Sequence, residues 1–235
     1  MAVRRTTLFD QVASEITTLI QESGLKPGDE MPPEGELAAR FGVNRLAVRE
    51  AIRALAAREI LVSSQGRPAR VNVPSARVFG QILRFRLRQD SLRFADVLDA
   101  RGAIEGAMAS RAAERVRAGE ASPEAASPLL EEMAAATDDR ERFVALDVAF
   151  HQEIARMAGN GILELVLESL TDVLTEHRLA SFEARSHRGD SQQATIAAHR
   201  RILDAIAAGA PEDAVAAMEA HLDATGEDLE ACRNS

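Results

Sequence analysis

Four residues in the second half of the chain have the side chains of a metal site. Asp147 and His151, in ALDVAFHQEIARMAGN, are four apart. On a helix they share one face and can grip a single ion. His199, in IAAHRRILDAI, and His221, in AAMEAHLDAT, stand on two later segments. A helical bundle can bring side chains from several helices to one interior point. Three imidazoles and a carboxylate would suit Zn²⁺, Ni²⁺ or Mn²⁺, with positions left for water or ligand oxygens. Spacing by itself leaves a plainer alternative open, four ordinary polar residues at helix surfaces, because Asp-x-x-x-His is a common accident.

A second constellation lies near the N-terminus, in LKPGDEMPPEGELAARFGVNRLAVREAIRALAAREIL. Arg45, Arg49 and Arg53 recur in four-residue steps along one helical stripe, and Val48, Ile52 and Leu55 form the opposite, core-facing stripe. A helix with one dry face and one arginine face, braced by another across a tight turn, suits the DNA major groove. Arg45 and Arg49 are assigned to base edges or phosphates, since guanidinium groups pair bidentately with guanine or phosphate. Arg40, Arg53 and Arg58 are assigned to phosphates or solvent. Arg67 and Arg70 flank Gly66, where the missing side chain permits close approach to a groove. The alternative is a solvated arginine face.

These two sites need two kinds of scaffold. The chain has 235 residues, 46% of them hydrophobic and only 3% aromatic, with no Trp or Tyr. That mixture favours closely packed helices, in a chain long enough for two domains. One cysteine, Cys232, excludes an internal disulfide framework and fits a reducing cytoplasm. No apolar run approaches a bilayer span, and MAVRRTTLFD lacks the apolar stretch of a secretory signal. The net charge of −9 seems to oppose DNA binding, but it is unevenly placed. Residues 1–73 carry ten basic and nine acidic side chains; residues 40–70 carry seven arginines and two glutamates. A local basic face governs phosphate contact, so an acidic body behind a basic head weakens indiscriminate binding only.

Punctuation divides the chain. A helix is expected over 8–23, then a Pro27-Gly28 turn, a helix from Pro33 to Phe41 ended by Gly42, and a helix over 45–58 capped by Asn44. Alternation at Ile60, Val62, Val71 and Val73 around a Gln65-Gly66 turn predicts a β-hairpin, the wing of a winged helix. Pro74-Ser75 is the natural boundary. Beyond it only helical patterns occur, over 79–89, 92–118, 122–136, 140–158, 161–185, 189–208 and 211–231. The expected fold is mainly α: an N-terminal winged helix-turn-helix domain over 1–74, then an all-helical bundle over 79–235.

Residues 8–73 resemble the winged helix-turn-helix domain of the GntR regulators. The resemblance runs through Leu25-x-Pro27-Gly28, Glu34-x-Glu36-Leu37-Ala38, Phe41-Gly42-Val43-x-Arg45, Val48-Arg49-Glu50-Ala51-Ile52-x-x-Leu55 and Gly66-Arg67. It implies that Arg45, Arg49 and the wing turn at Gly66 meet an operator. Pro32-Pro33-Glu34 departs from the usual Pro-Ser-Glu, and Gly35 stands where many relatives have a DNA-contacting arginine. Residues 79–235 resemble the FCD effector domain of the FadR subfamily, through Ala100-Arg101-x-x-Ile104-Glu105, Asp147-x-x-Phe150-His151-x-x-Ile154, Asn160, His199-x-x-Ile202-x-x-Ala205-Ile206 and Ala217-Met218-x-x-His221-Leu222. This implies the metal-binding branch, with Asp147, His151, His199 and His221 as ligands. It also implies an effector carboxylate bound by Arg101, against the plainer alternative of a surface salt bridge to Glu105.

The combined expectation is a cytoplasmic, homodimeric transcriptional regulator, a repressor, that reads an inverted repeat and is controlled by a small organic acid beside a divalent metal. The rivals are a metal-dependent hydrolase and a non-specific architectural DNA binder. His177 and His187 match no metal position, Arg178, Arg185 and Arg188 are expected to be solvated, and Phe143, Phe150 and Phe182 are expected in the core or cavity wall.

Overall fold

The computed structural model describes residues 7–64, 66–89, 92–188 and 191–233, without the side chains of Phe94, Asp172, His177, Ala184, His187 and residues 228–233. The expectations about Gln65, about the breaks at Asp90-Ser91 and Gly189-Asp190, and about His177, His187 and Cys232 therefore lie outside the described residues. The chain forms two compact units, Met1–Val78 and Phe79–Ser235.

In the first unit α1 (Leu8–Glu22) starts at a capping box in which Thr7 and Asp10 satisfy each other's backbone N–H. α2 (Glu34–Phe41) ends at Gly42, whose left-handed φ of 65° is the conformation glycine adopts without strain. Only Gly42, Val43 and Asn44 separate it from α3 (Arg45–Ala57), where the Asn44 side chain accepts a bond from the Ala47 N–H. Val48, Ala51, Ile52 and Leu55 of α3 are buried against Val12, Ile16 and Leu19 of α1 and Leu37 of α2. Burial at this spacing leaves the arginine stripe outside, as the periodicity predicts. β1 (Leu61–Val62) pairs antiparallel with β2 (Arg70–Val71), Leu61 opposite Val71. The strands are shorter than the alternation suggested. The turn segment before α2 supplies further pairing, Met31 N–H to Ala69 C=O at 2.8 Å and Val71 N–H to Asp29 C=O at 2.9 Å.

The second unit is all-helical among its described residues: α4 (Arg77–Arg88), which begins at the boundary, α5 (Phe94–Arg117), α6 (Ser127–Ala135), α7 (Arg140–Ala158), α8 (Gly161–Arg188), α9 (Gln193–Ala207) and α10 (Pro211–Arg233). Together with the winged head this is the mainly α fold expected. One helix was expected over 122–136, but two prolines divide that stretch. Pro123 opens a single 3-10 turn, Pro123–Ala125, and Pro128 sits in the first turn of α6, where its missing N–H costs nothing. α5 lies against α7, α9 and α10, while α7 also contacts α6 and α8. Their shared core contains Met108, Phe150, Ile154, Ile202, Ile206 and Met218. No helix among the described residues is long and apolar enough to cross a membrane.

Candidate metal centre and nucleic-acid interface

The bundle brings together all four residues expected to ligate a metal. α7 contributes Asp147 and His151, α9 His199 and α10 His221, all buried and with one potential ligand atom each inside a 4.8 Å span. His199 Nε2 lies 3.3 Å from His151 Nε2, 3.2 Å from His221 Nε2 and 3.3 Å from Asp147 Oδ1. His151 Nε2 is 3.9 Å from the same carboxylate oxygen. One proton on His199 Nε2 could satisfy only one of three such neighbours. A cation at their centre satisfies all of them, and metal–nitrogen bonds of ~2.0–2.1 Å in a tetrahedron place ligand atoms roughly 3.3 Å apart. The donor set therefore fits a divalent ion. Phe150, fully buried, braces it, with its ring centroid 4.6 Å from that of His199 and 5.8 Å from that of His151.

Electrostatics favour the ligating protonation states. Burial pushes His151 below the ordinary imidazole value, although Glu105 and Asp147 oppose the shift. Burial, reinforced by His199 and His151, pushes His221 well below it. Neutral imidazoles keep a lone pair for a metal. Burial alone would raise Asp147, but Arg178 and the neighbouring histidines outweigh it and hold the carboxyl well below its usual range. Glu105 is likewise held low against burial by Arg101 and His151. Its Oε2 touches His151 Nδ1. A proton held on Nδ1 leaves the Nε2 lone pair facing the cluster, the outer-shell arrangement that orients metal-bound histidines. Spacing offered Glu105 only as a neighbour of Arg101; its contact with His151 joins α5 to α7.

Arg101 is buried, not on the surface, and its Nε pairs with the buried Glu105 one turn away. Its Nη2 lies 3.4 Å from His151 Nε2. The pairing with Glu105 is thus present but buried, and it stands beside the Asp/His cluster. Arg178 overturns an expectation. It is only 8% exposed and pairs through Nε with Asp147 Oδ2. Burial, with Arg101 adding to it, pushes its guanidinium down to about 10, still protonated at neutral pH. Arg185, one face down α8, is half-buried, and Arg188 is exposed. Signal for Arg178 did exist: Leu174, Arg178, Ser181, Phe182 and Arg185 recur at the spacing of one helical face.

Beside the cluster opens a cleft of about 410 Å³, counted with its mouth, lined by Arg101, Asp147, Arg178, Arg185 and His221. Phe143 and Phe182 form its apolar wall, ring centroids 5.4 Å apart. Phe150 belongs to the core instead.

In the N-terminal unit Arg40, Arg45, Arg49, Arg53, Arg58, Gly66 and Arg67 are all exposed. Arg49 Nη2 pairs with Glu34 at 3.1 Å and Arg53 Nη1 with Glu50 at 2.8 Å. Arg70 turns back from the wing tip, donating to Gly28 C=O at 3.0 Å and pairing with Glu30 at 2.5 Å. It ties the wing to the preceding segment. A Cβ built on Gly35 would lie 3.1 Å from Arg45 Nη2, so glycine there lets the Arg45 guanidinium rest over α2. Glu34, Arg49, Arg53, Gly66 and Arg67 line an open groove beside α3 and the wing.

This pairing of an arginine-faced helix-turn-helix with a buried Asp/His cluster matches two family models. That for the FCD domain covers residues 96–224, and that for bacterial regulatory proteins of the gntR family covers residues 8–71. The chain belongs to the GntR family. It is 29% identical to the Glc operon transcriptional activator of Escherichia coli K12 over 94% of this chain and 89% of that one. It is 31% identical to the transcriptional repressor NanR of Citrobacter rodentium, covering 93% and 84% of the two chains. To the transcriptional regulator LutR of Bacillus subtilis it is 32% identical, covering 87% and 93%. The fold matches a GntR protein of Streptococcus agalactiae with a TM-score of 0.70 at 24% identity, over 97% of this chain and all of that one. As a GntR protein with an FCD domain the chain is a DNA-binding transcriptional regulator, not an enzyme, and the hydrolase reading falls.

Proposed function

We propose that this GntR protein is a metal-dependent repressor controlled by a small organic acid. Residues 1–74 read the operator, with Arg45 and Arg49 at base edges or phosphates, Arg40, Arg53 and Arg67 on phosphates, and the Gly66 turn close to the duplex. Residues 79–235 hold a divalent ion, Zn²⁺, Ni²⁺ or Mn²⁺, through Asp147, His151, His199 and His221. When bound, the ion supplies a Lewis-acidic point that draws a carboxylate into the cleft. Arg101 engages that carboxylate, and Glu105 keeps both Arg101 and His151 in place.

The observation that carries this reading is the convergence of three imidazole Nε2 atoms and a carboxylate oxygen on one buried point beside a cationic cleft. The protein acts as a cytoplasmic homodimer, whose two heads suit an inverted repeat. Phe79, Ile82 and Phe85, 55%, 56% and 64% exposed along one side of α4, are the apolar surface assigned to that dimer.

A fluorescence-anisotropy titration tests this reading, using the full chain and a duplex selected from a random pool. Chelation of the metal, or one member of a panel of small organic acids, is expected to change operator affinity about 5–150-fold. Affinity unmoved by chelator and by every acid would overturn it.

A further inference from the structure

The structure assigns Arg178 to a second anionic group of the effector, and we infer that the natural ligand is a dianion, a small dicarboxylate. This rests on the proposed metal-and-acid reading of the same cleft and narrows its ligand class. Two independent observations carry it.

The first is a buried donor with nothing to bond. Arg178 is more than nine-tenths buried and lines the cleft, yet its Nη2 has no hydrogen-bond partner. A guanidinium hydrogen left unsatisfied in the interior is costly, and buried donors are normally satisfied by protein, water or ligand. Its Nε contacts Asp147 Oδ2, so Nη2 is the donor left over in a side chain that lines the cleft. Arg185 lines the same cleft two turns further along α8, roughly 10 Å along the axis. Arg101, paired with Glu105 and next to His151, is the guanidinium on the metal side of the cleft.

The second observation is the balance of buried charge. Among the described buried residues, Arg101 and Arg178 are matched by Glu105 and Asp147. With neutral imidazoles the site is balanced, and a divalent ion on the Asp/His cluster leaves it two charges positive. Uncompensated charge in the interior is strongly unfavourable. A monocarboxylate removes half of the excess, and a dicarboxylate removes all of it.

The test is isothermal titration calorimetry on the full-length, zinc-loaded protein with chain-matched acids: acetate against malonate, butyrate against succinate, and lactate against malate. The best dicarboxylate is expected to bind at least about tenfold more tightly than its monocarboxylate match, the worth of one added charge-assisted hydrogen bond. Arg178→Gln, with zinc content measured alongside, is expected to shrink the ratio of dicarboxylate to monocarboxylate affinity to less than about twofold, and Arg178→Lys to restore part of it. Monocarboxylates binding as tightly as dicarboxylates to the unaltered protein would overturn the dianion assignment and leave the metal-and-acid reading standing. A dicarboxylate preference that survives in a zinc-containing Arg178→Gln protein would overturn the role of Arg178. If none of the six acids bound the zinc-loaded chain, both this inference and the acid-responsive reading would fall.

Discussion

Arginine–carboxylate pairs occur in both units, and they do opposite physical work. Arg49 and Glu34 in the head are 54% and 36% exposed, whereas Arg178 and Asp147 in the bundle are 8% and 9% exposed. In water an ion pair is worth ~0–1 kcal/mol and its partners exchange easily. Arg49 can therefore leave Glu34 for a phosphate at little cost, which suits a surface that must release and rebind. In the interior, breaking such a pair strands a charge. The bundle's charges are therefore held in one arrangement, as the proposed metal-and-acid site requires. The same residue types make a yielding surface in one unit and a fixed cage in the other.

The sharpest way to break this contrast is to remove one buried partner. Asp147→Ala is expected to strand Arg178 and destabilise the second unit by about 3–5 kcal/mol, read by chemical denaturation, and to abolish metal binding. Arg49→Ala in the head, measured the same way, is expected to change stability by less than ~1 kcal/mol. Equal costs would remove the distinction. Next in size is Glu105→Gln, expected to lower metal affinity about 10–100-fold in a competition titration, through loss of the contact with His151 Nδ1.

Acid should separate the units as well. His151 and His221 are both pushed below the ordinary 6.5 by burial. As pH falls through 6.5 the unfolded chain takes up protons that the folded chain refuses. Stability is thus full above that value and lost progressively below it, by at most roughly 1.4 kcal/mol per pH unit for each group. All five histidines lie beyond residue 150, so the head lacks this sensitivity. Hydrogen exchange at pH 5.5 in metal-free protein is expected to show loss of protection in α7 and α10 before α1 and α3. The smallest expected effect is on the salt dependence of DNA binding: Arg49→Ala should reduce its slope by about one ion. An unchanged slope would take Arg49 off the phosphates.

Much of this was readable in the residues because local rules decided it. Gly42 and Asn44 mark the turn before α3, and four-residue spacing put Val48 and Ile52 inside with Arg45 and Arg49 outside. Asp147 and His151 were legible as a pair since one helix carries both. What escaped was decided between helices. Arg178 sits among charged neighbours in TEHRLASFEARSHR, and its buried partner Asp147 stands on another helix, α7. Glu105 looked committed to Arg101, because its second partner, His151, is distant in the chain. The single helix expected over 122–136 failed for a local reason, the two prolines.

The most direct measurement is the metal content of the purified full-length chain after incubation with zinc and removal of free ion, beside His199→Ala treated identically. One bound ion per chain, absent from the variant, is the predicted result. A correctly folded native chain that retains no divalent ion, or a His199→Ala protein that retains as much as the native one, would contradict the buried cage at the centre of this molecule.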